Sequence, residues 1–107
     1  MNQEQLEAVM GLIIHSGNAK SDAMEAISAA KNSDFKQAKE RMKSAEAAIV
    51  EAHHAQTTML TDEAQGIAAE ITLLTIHSQD HLMTAIAFCD LAKEIIAIHQ
   101  RIEQDEA

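Results

Sequence analysis

Tryptophan, tyrosine and proline are absent from this 107-residue chain, and Phe35 and Phe88 are its only aromatics. Sheets draw on aromatic and β-branched side chains, whereas Ala, Ile, Leu and Met supply most of the apolar mass here, a palette for close helix packing. With no proline to interrupt them, long helices can run unbroken. The lone Cys89 excludes an internal disulfide and agrees with a reducing compartment. No basic residue stands beside it to lower its pKa, so a buried structural thiol is expected. Positive charge is scarce: eight Lys and Arg stand against 17 Asp and Glu, a net charge of −9. Nucleic acid and anionic membrane are poor partners for such a surface, and a basic protein is a better one. Neither a signal-peptide pattern nor an apolar run of membrane-spanning length is present, so a soluble cytoplasmic protein is expected.

One domain is what this length supports, with a small core and little stability to spare. The reading is all-α: an antiparallel bundle of three helices at roughly 3–31, 34–61 and 67–103 within a single domain, 1–107. In the first segment Leu6, Met10, Ile13, Gly17, Met24 and Ile27 keep a seam spacing until Asn32-Ser33-Asp34 breaks it, where Ser33 or Asp34 can cap the second helix. In the second, Phe35, Ala38, Met42, Ala45, Ile49, Ala52, Gln56 and Met59 alternate steps of three and four, the pattern of nearly antiparallel helices. Thr61 to Gly66 supplies the second connection.

The third segment holds more apolar surface than two neighbours can cover. One seam runs through Ile67, Ile71, Leu74, Ala85, Phe88, Ala92 and Ile95; Leu73, Ile76, Met83 and Ala87 lie on another side, and Leu82, Ile86 and Cys89 on a third. Self-association through this helix is the economical way to cover it. In a parallel symmetric assembly the Asp80 carboxylates would meet near the axis. Such a cluster requires protons, solvent or a shared hard cation such as Mg²⁺.

The polar run His77-Ser78-Gln79-Asp80-His81-Leu82-Met83 interrupts this apolar helix. At helical spacing His77, Asp80, His81 and Thr84 are neighbours, and burying them without partners would cost several kcal/mol. Three readings are open. His77 and His81, four apart with Asp80 between them, resemble an inverted zinc-hydrolase motif, with a third ligand to come from His15, His53, His54 or His99. Alternatively, the histidines only fix register in a non-catalytic oligomeric helical scaffold that binds a regulatory partner. Third, a neutral imidazole can attack phosphorus, its other nitrogen being held to fix the tautomer.

Ile76-His77-Ser78-Gln79-Asp80-His81-Leu82-Met83-Thr84 resembles the signature of enzyme IIA of the lactose, cellobiose and N,N'-diacetylchitobiose branch of the bacterial sugar phosphotransferase system. The likeness continues through Met10 to Ile14, Ser16-Gly17-Asn18-Ala19, Ala29-Ala30-Lys31, Asp34-Phe35, Glu51-Ala52-His53, Gln56-Thr57 and Glu63-Ala64. It spans nearly the whole length. Where this chain has Ser78, members of the family usually have Ala, which touches only local packing or hydrogen bonding.

The resemblance implies a homotrimer of antiparallel three-helix subunits. It implies His77 as the phosphorylated residue, through Nε2, and Asp80 as the carboxylate whose three copies hold one Mg²⁺ on the axis. The histidine-containing phosphocarrier protein HPr would be the donor and a cysteine of the cognate IIB component the acceptor, in uptake of a β-linked disaccharide. Gln79, Gln56, His53 and His81 are candidates to orient the ring or contact the phosphoryl oxygens. His15 has no assigned role, and His54 and His99 are read as surface residues. Nothing in these side chains selects among cellobiose, diacetylchitobiose and lactose.

Overall fold

The structure, a computed structural model, describes residues 1–106. Three helices make it up: α1 (Gln3–Lys31), α2 (Phe35–Ala64) and α3 (Leu73–Glu106). They form a rod 59 Å long and 20 Å across. α1 packs on both of the others, while α2 and α3 touch least.

Each boundary has a local cause. α1 starts in a capping box, Asn2 accepting from the Gln5 amide while the Gln5 side chain accepts from that of Asn2. It ends where Ser33 takes a left-handed φ of 62°, and the amides of Ser33 and Asp34 turn back onto Ala30 and Ala29. This is a Schellman stop with serine where glycine is usual. Asp34 then accepts from the Gln37 amide and starts α2. One connection thus closes one helix and opens the next, reversing the chain within three residues.

α2 runs to Ala64 rather than 61, and α3 begins at Leu73 rather than 67. Gly66, at φ 88°, provides a second Schellman stop, its own amide and that of Ile67 reaching Glu63 and Asp62. Ile67 and Ile71 therefore lie in the connection and not on a helical seam. Thr72 sets the start of α3 by accepting from the Thr75 amide at 3.1 Å. The connection itself is pinned at Glu70, whose carbonyl accepts from the Thr75 hydroxyl at 2.9 Å and whose carboxylate meets the Met1 ammonium at 2.6 Å. That ammonium holds the Glu70 carboxyl below the usual carboxylate range.

Burial follows a finer rule than apolar spacing. The α2 seam is as expected: Ala38, Met42, Ala45 and Ala52 are buried and Phe35, Ile49, Gln56 and Met59 half-buried. On α1, however, the buried line is Val9, Leu12, Ser16, Ala19, Ala23, Ala26 and Ala30. Leu6, Met10, Ile14 and Met24 point outward. On α3 it is Thr75, Ser78, Leu82, Ala85, Cys89 and Ala92, so Leu74, Phe88 and Ile95 stand to its side. Mostly small side chains let the three axes approach closely, with Leu12, Met42 and Leu82 as the large members of the core. Cys89 is buried as expected, and burial pushes its thiol pKa up. Ser78 also belongs to this core, its hydroxyl donating to the Thr75 carbonyl at 2.6 Å.

Within the described residues no helix is long and apolar enough to cross a membrane. What α3 does carry is an exposed stripe: Leu73, Ile76, Asp80, Met83, Ala87, Leu91, Ile95, Ile98 and Ile102. The steps are all three or four residues, one straight face. Leu73 is 83% exposed and Leu91 63%, so this face lies outside the chain's own core.

Candidate functional site

Five residues into α3, beyond the turn capped by Thr72, His77 stands exposed beside Leu73 and Leu74, which line an open apolar depression with it. One turn on, the His81 ring meets it edge to face, with centroids 4.5 Å apart and Nε2 to Nε2 at 3.1 Å. One of these two nitrogens donates and the other accepts.

The surroundings of His81 decide which. Its ring is half-buried, and its Nδ1 has no hydrogen-bond partner within the chain. A buried N–H without an acceptor is the rarer and costlier orphan, so the proton belongs on Nε2 and donates to His77. His77 then accepts at Nε2, its lone pair there aimed at His81. Desolvation is the main cause that lowers the pKa of His81, followed by positive charge on His77 and on Lys20, with Asp80 opposing.

The same Nδ1 argues against a zinc site. A metal-bound imidazole normally donates its second N–H to a carboxylate or carbonyl, and His81 has neither there. Nor, among the described residues, do three or more His, Cys, Asp or Glu side chains converge.

Asp80 lies three residues from His77, about 60° around the helix. It is exposed within the apolar stripe, between Ile76 and Met83. Thr84 is spent on backbone, its hydroxyl donating to the Asp80 carbonyl at 2.8 Å. The expected four-member ridge is thus a bonded histidine pair beside a separate carboxylate.

Gln56 and Gln79 are brought together, but with each other: Gln56 Nε2 donates to Gln79 Oε1 at 2.9 Å across the α2–α3 contact. Gln79 also reaches Met59 Sδ at 3.9 Å and Ser78 Oγ at 3.4 Å. Two residues along a helix is a rotation of about 200°, so this amide pair lies on the side of α3 away from His77. His53, exposed on α2, joins neither pair, and His15 is half-buried on α1. Sequence reasoning missed Thr72 and Thr75, which fix where the site's helix begins. The signal was a Thr-x-x-Thr pattern hidden inside a segment already read as helix.

Such a site is an accessible imidazole on a helical bundle, with apolar ground beside it and open enough for another protein to reach. Residues 7–100 match the family described as PTS system, Lactose/Cellobiose specific IIA subunit. The lichenan-specific phosphotransferase enzyme IIA component of Bacillus subtilis is 42% identical over 104 residues, 97% of this chain and 94% of that one. In structure the chain is similar to the cellobiose-specific enzyme IIA from Bacillus anthracis, with a TM-score of 0.93, 44% identity and coverage of 97% and 95% of the two chains. It is also similar to IIA(Chitobiose) of Escherichia coli, solved in complex with HPr, with a TM-score of 0.82, 38% identity and coverage of 95% and 99%. The chain belongs to the lactose/cellobiose-specific IIA family and is a phosphotransferase component of the sugar phosphotransferase system.

Proposed function

We propose that this chain carries a phosphoryl group on His77 between HPr and the cysteine of a cognate IIB component, in the cytoplasm, during uptake of a β-linked disaccharide of the cellobiose, diacetylchitobiose or lactose type. The observation that carries the reading is His77 itself: exposed, beside apolar Leu73 and Leu74, with its Nε2 already oriented by His81. In the forward step the Nε2 lone pair forms the new N–P bond as the donor's N–P bond breaks, that electron pair remaining on the donor imidazole. In the next step the IIB thiolate attacks the same phosphorus, and the pair returns to His77. Such transfers rest on alignment and charge compensation more than on side-chain chemistry. A ring on an open apolar face can be presented to two partners in turn.

The reading extends to a homotrimer that buries the α3 stripe, with the Asp80 carboxylates holding one Mg²⁺. Support for it is the exposed carboxylate set singly in an otherwise apolar face. Oxygen donors of this kind suit Mg²⁺, which keeps several waters. When bound, it would neutralise the clustered charge and take no part in moving phosphate. A contact of Gln79 or Gln56 with the phosphoryl group must involve a neighbouring copy, since both face away from their own His77.

Transfer tests this directly. Phospho-HPr mixed with the chain and a cognate IIB should leave the phosphoryl group on the IIB cysteine, at a rate that collapses when the chain is omitted. A IIB phosphorylated equally fast without it would refute the carrier role.

A further inference from the structure

We infer that Lys20, on α1, is the positive charge that this chain sets against a phosphoryl group on His77. The inference deepens the carrier reading of His77 and rests on it.

Register places the lysine. Cys89 Sγ reaches the Ala19 carbonyl at 3.9 Å, across an offset of 70 residues, so Lys20 is level with Asp90 and about 13 Å along the rod from the level of His81. Helical side chains lean toward the N-terminus of their own helix, which on α1 is the direction of the His77 end. The four-carbon stem of a lysine covers about half of that interval.

The flanks agree. Asp22 faces α2, accepting from the Ser44 hydroxyl at 2.7 Å, and Gln79 faces α2 through Gln56. Lys20 is two residues from Asp22 and His81 two from Gln79, each a rotation of about 200°. Lysine and imidazole therefore lie on the flanks where α1 and α3 face each other, and both are half-buried there. Gly17, one turn before Lys20, puts no side chain in the way, and a β-carbon added to it would meet nothing within 4 Å. The charge of Lys20 is among those felt at His81, whose Nε2 is 3.1 Å from that of His77.

The charge distribution leaves the task to this residue. Residues 1–15 and 50–82, which make up the His77 end of the rod, contain seven Asp and Glu and no Lys or Arg. A phosphoryl group adds about two more negative charges to that field. Every other Lys and Arg lies farther along the rod. Of these, Lys93 is engaged with Glu46 at 2.7 Å and Arg41 with Asp22 and Glu25. Lys20 makes no ion pair among the described residues.

No proton moves to or from Lys20. The donor's N–P bond breaks with its pair left on the donor nitrogen and the His77 Nε2 pair forms the new bond, while the ammonium acts only through its field. One positive charge about 10 Å from a dianion changes an equilibrium about fourfold at the dielectric constant of water, and more where protein displaces water.

The equilibrium between phospho-HPr and the chain tests this, since it compares free species and does not depend on docking. Purified phospho-HPr is mixed with each variant without enzyme I, and the phosphoryl group is apportioned by intact mass. Lys20→Met keeps the length and loses the charge; it should shift the equilibrium toward phospho-HPr about three- to tenfold at low salt, and less at high salt. Lys20→Arg should restore the wild-type value. In phosphorus-31 NMR the second ionisation of the phosphoryl group should move to higher pH in Lys20→Met, a displacement that a merely structural role would not produce. Equal equilibria for wild type and Lys20→Met, or a loss that Lys20→Arg fails to recover with all variants folded by circular dichroism, would overturn the inference and leave His77 as the carrier. A wild type that takes no phosphoryl group at all would overturn both.

Discussion

Gln56 donates to Gln79 at 2.9 Å across the α2–α3 contact, an amide–amide hydrogen bond that joins the two helices. Both amides are partly buried, so losing one partner leaves the other with an unmet polar group. Gln79→Leu should cost about 1–2 kcal/mol in urea unfolding, and Gln56→Leu a similar amount. The double variant should lose clearly less than the sum of the two. Additive losses would show that the pair contributes nothing as a pair.

Ser33 occupies a left-handed position where a β-carbon is strained. Ser33→Gly should stabilise the chain by about 0.5–1 kcal/mol, relief of the strain exceeding the added backbone entropy of glycine. At fixed protein concentration the melting temperature should rise about 2–8 °C. An unchanged or lower value would mean that the serine hydroxyl contributes more at this turn than its backbone costs.

Thr72 fixes the start of α3 five residues before His77. Thr72→Ala should cost about 1 kcal/mol, and Thr72→Ser much less. Hydrogen exchange locates the effect: the Thr75 amide should lose protection, while amides near Cys89 lose only what the global change requires. Uniform loss along α3 would argue against a local cap.

Asp80 is the only charged residue on the stripe that runs from Leu73 to Ile102. Asp80→Leu should abolish metal uptake by the purified oligomer yet leave the oligomer intact, since apolar side chains can replace clustered charges without loss. Sedimentation and metal analysis read the two effects separately. Unchanged metal content would refute the metal role proposed for Asp80, and dissociation to monomers would show that the carboxylate, rather than the apolar stripe, holds the assembly together.

Helix number, the α2 seam and the position of His77 were legible from composition and spacing, because an uninterrupted 3–4 pattern has few other solutions. What spacing could not reveal was which apolar line faces inward. On α1, Met10 and Val9 are adjacent, and close packing selects the line richer in alanine for the core. Counting apolar residues instead favours the outer line, where Leu6, Met10, Ile14 and Met24 stand exposed. The start of α3 was hidden similarly, since Ile67 and Ile71 suit a helix while Gly66 and Thr72 rule one out between them. At the site, the sequence placed His77 near His81 but not the two Nε2 atoms together. That depends on rotamers and on what surrounds His81 Nδ1, which only the packed bundle determines.

The carrier role depends on His77 taking the phosphoryl group. Intact-mass measurement after incubation with phosphoenolpyruvate, enzyme I and HPr detects that event itself. The wild-type chain should gain the mass of one phosphoryl group in an acid-labile form, and His77→Ala should gain none. A gain that survives His77→Ala, or a wild-type chain that stays unmodified, would exclude His77 as the acceptor.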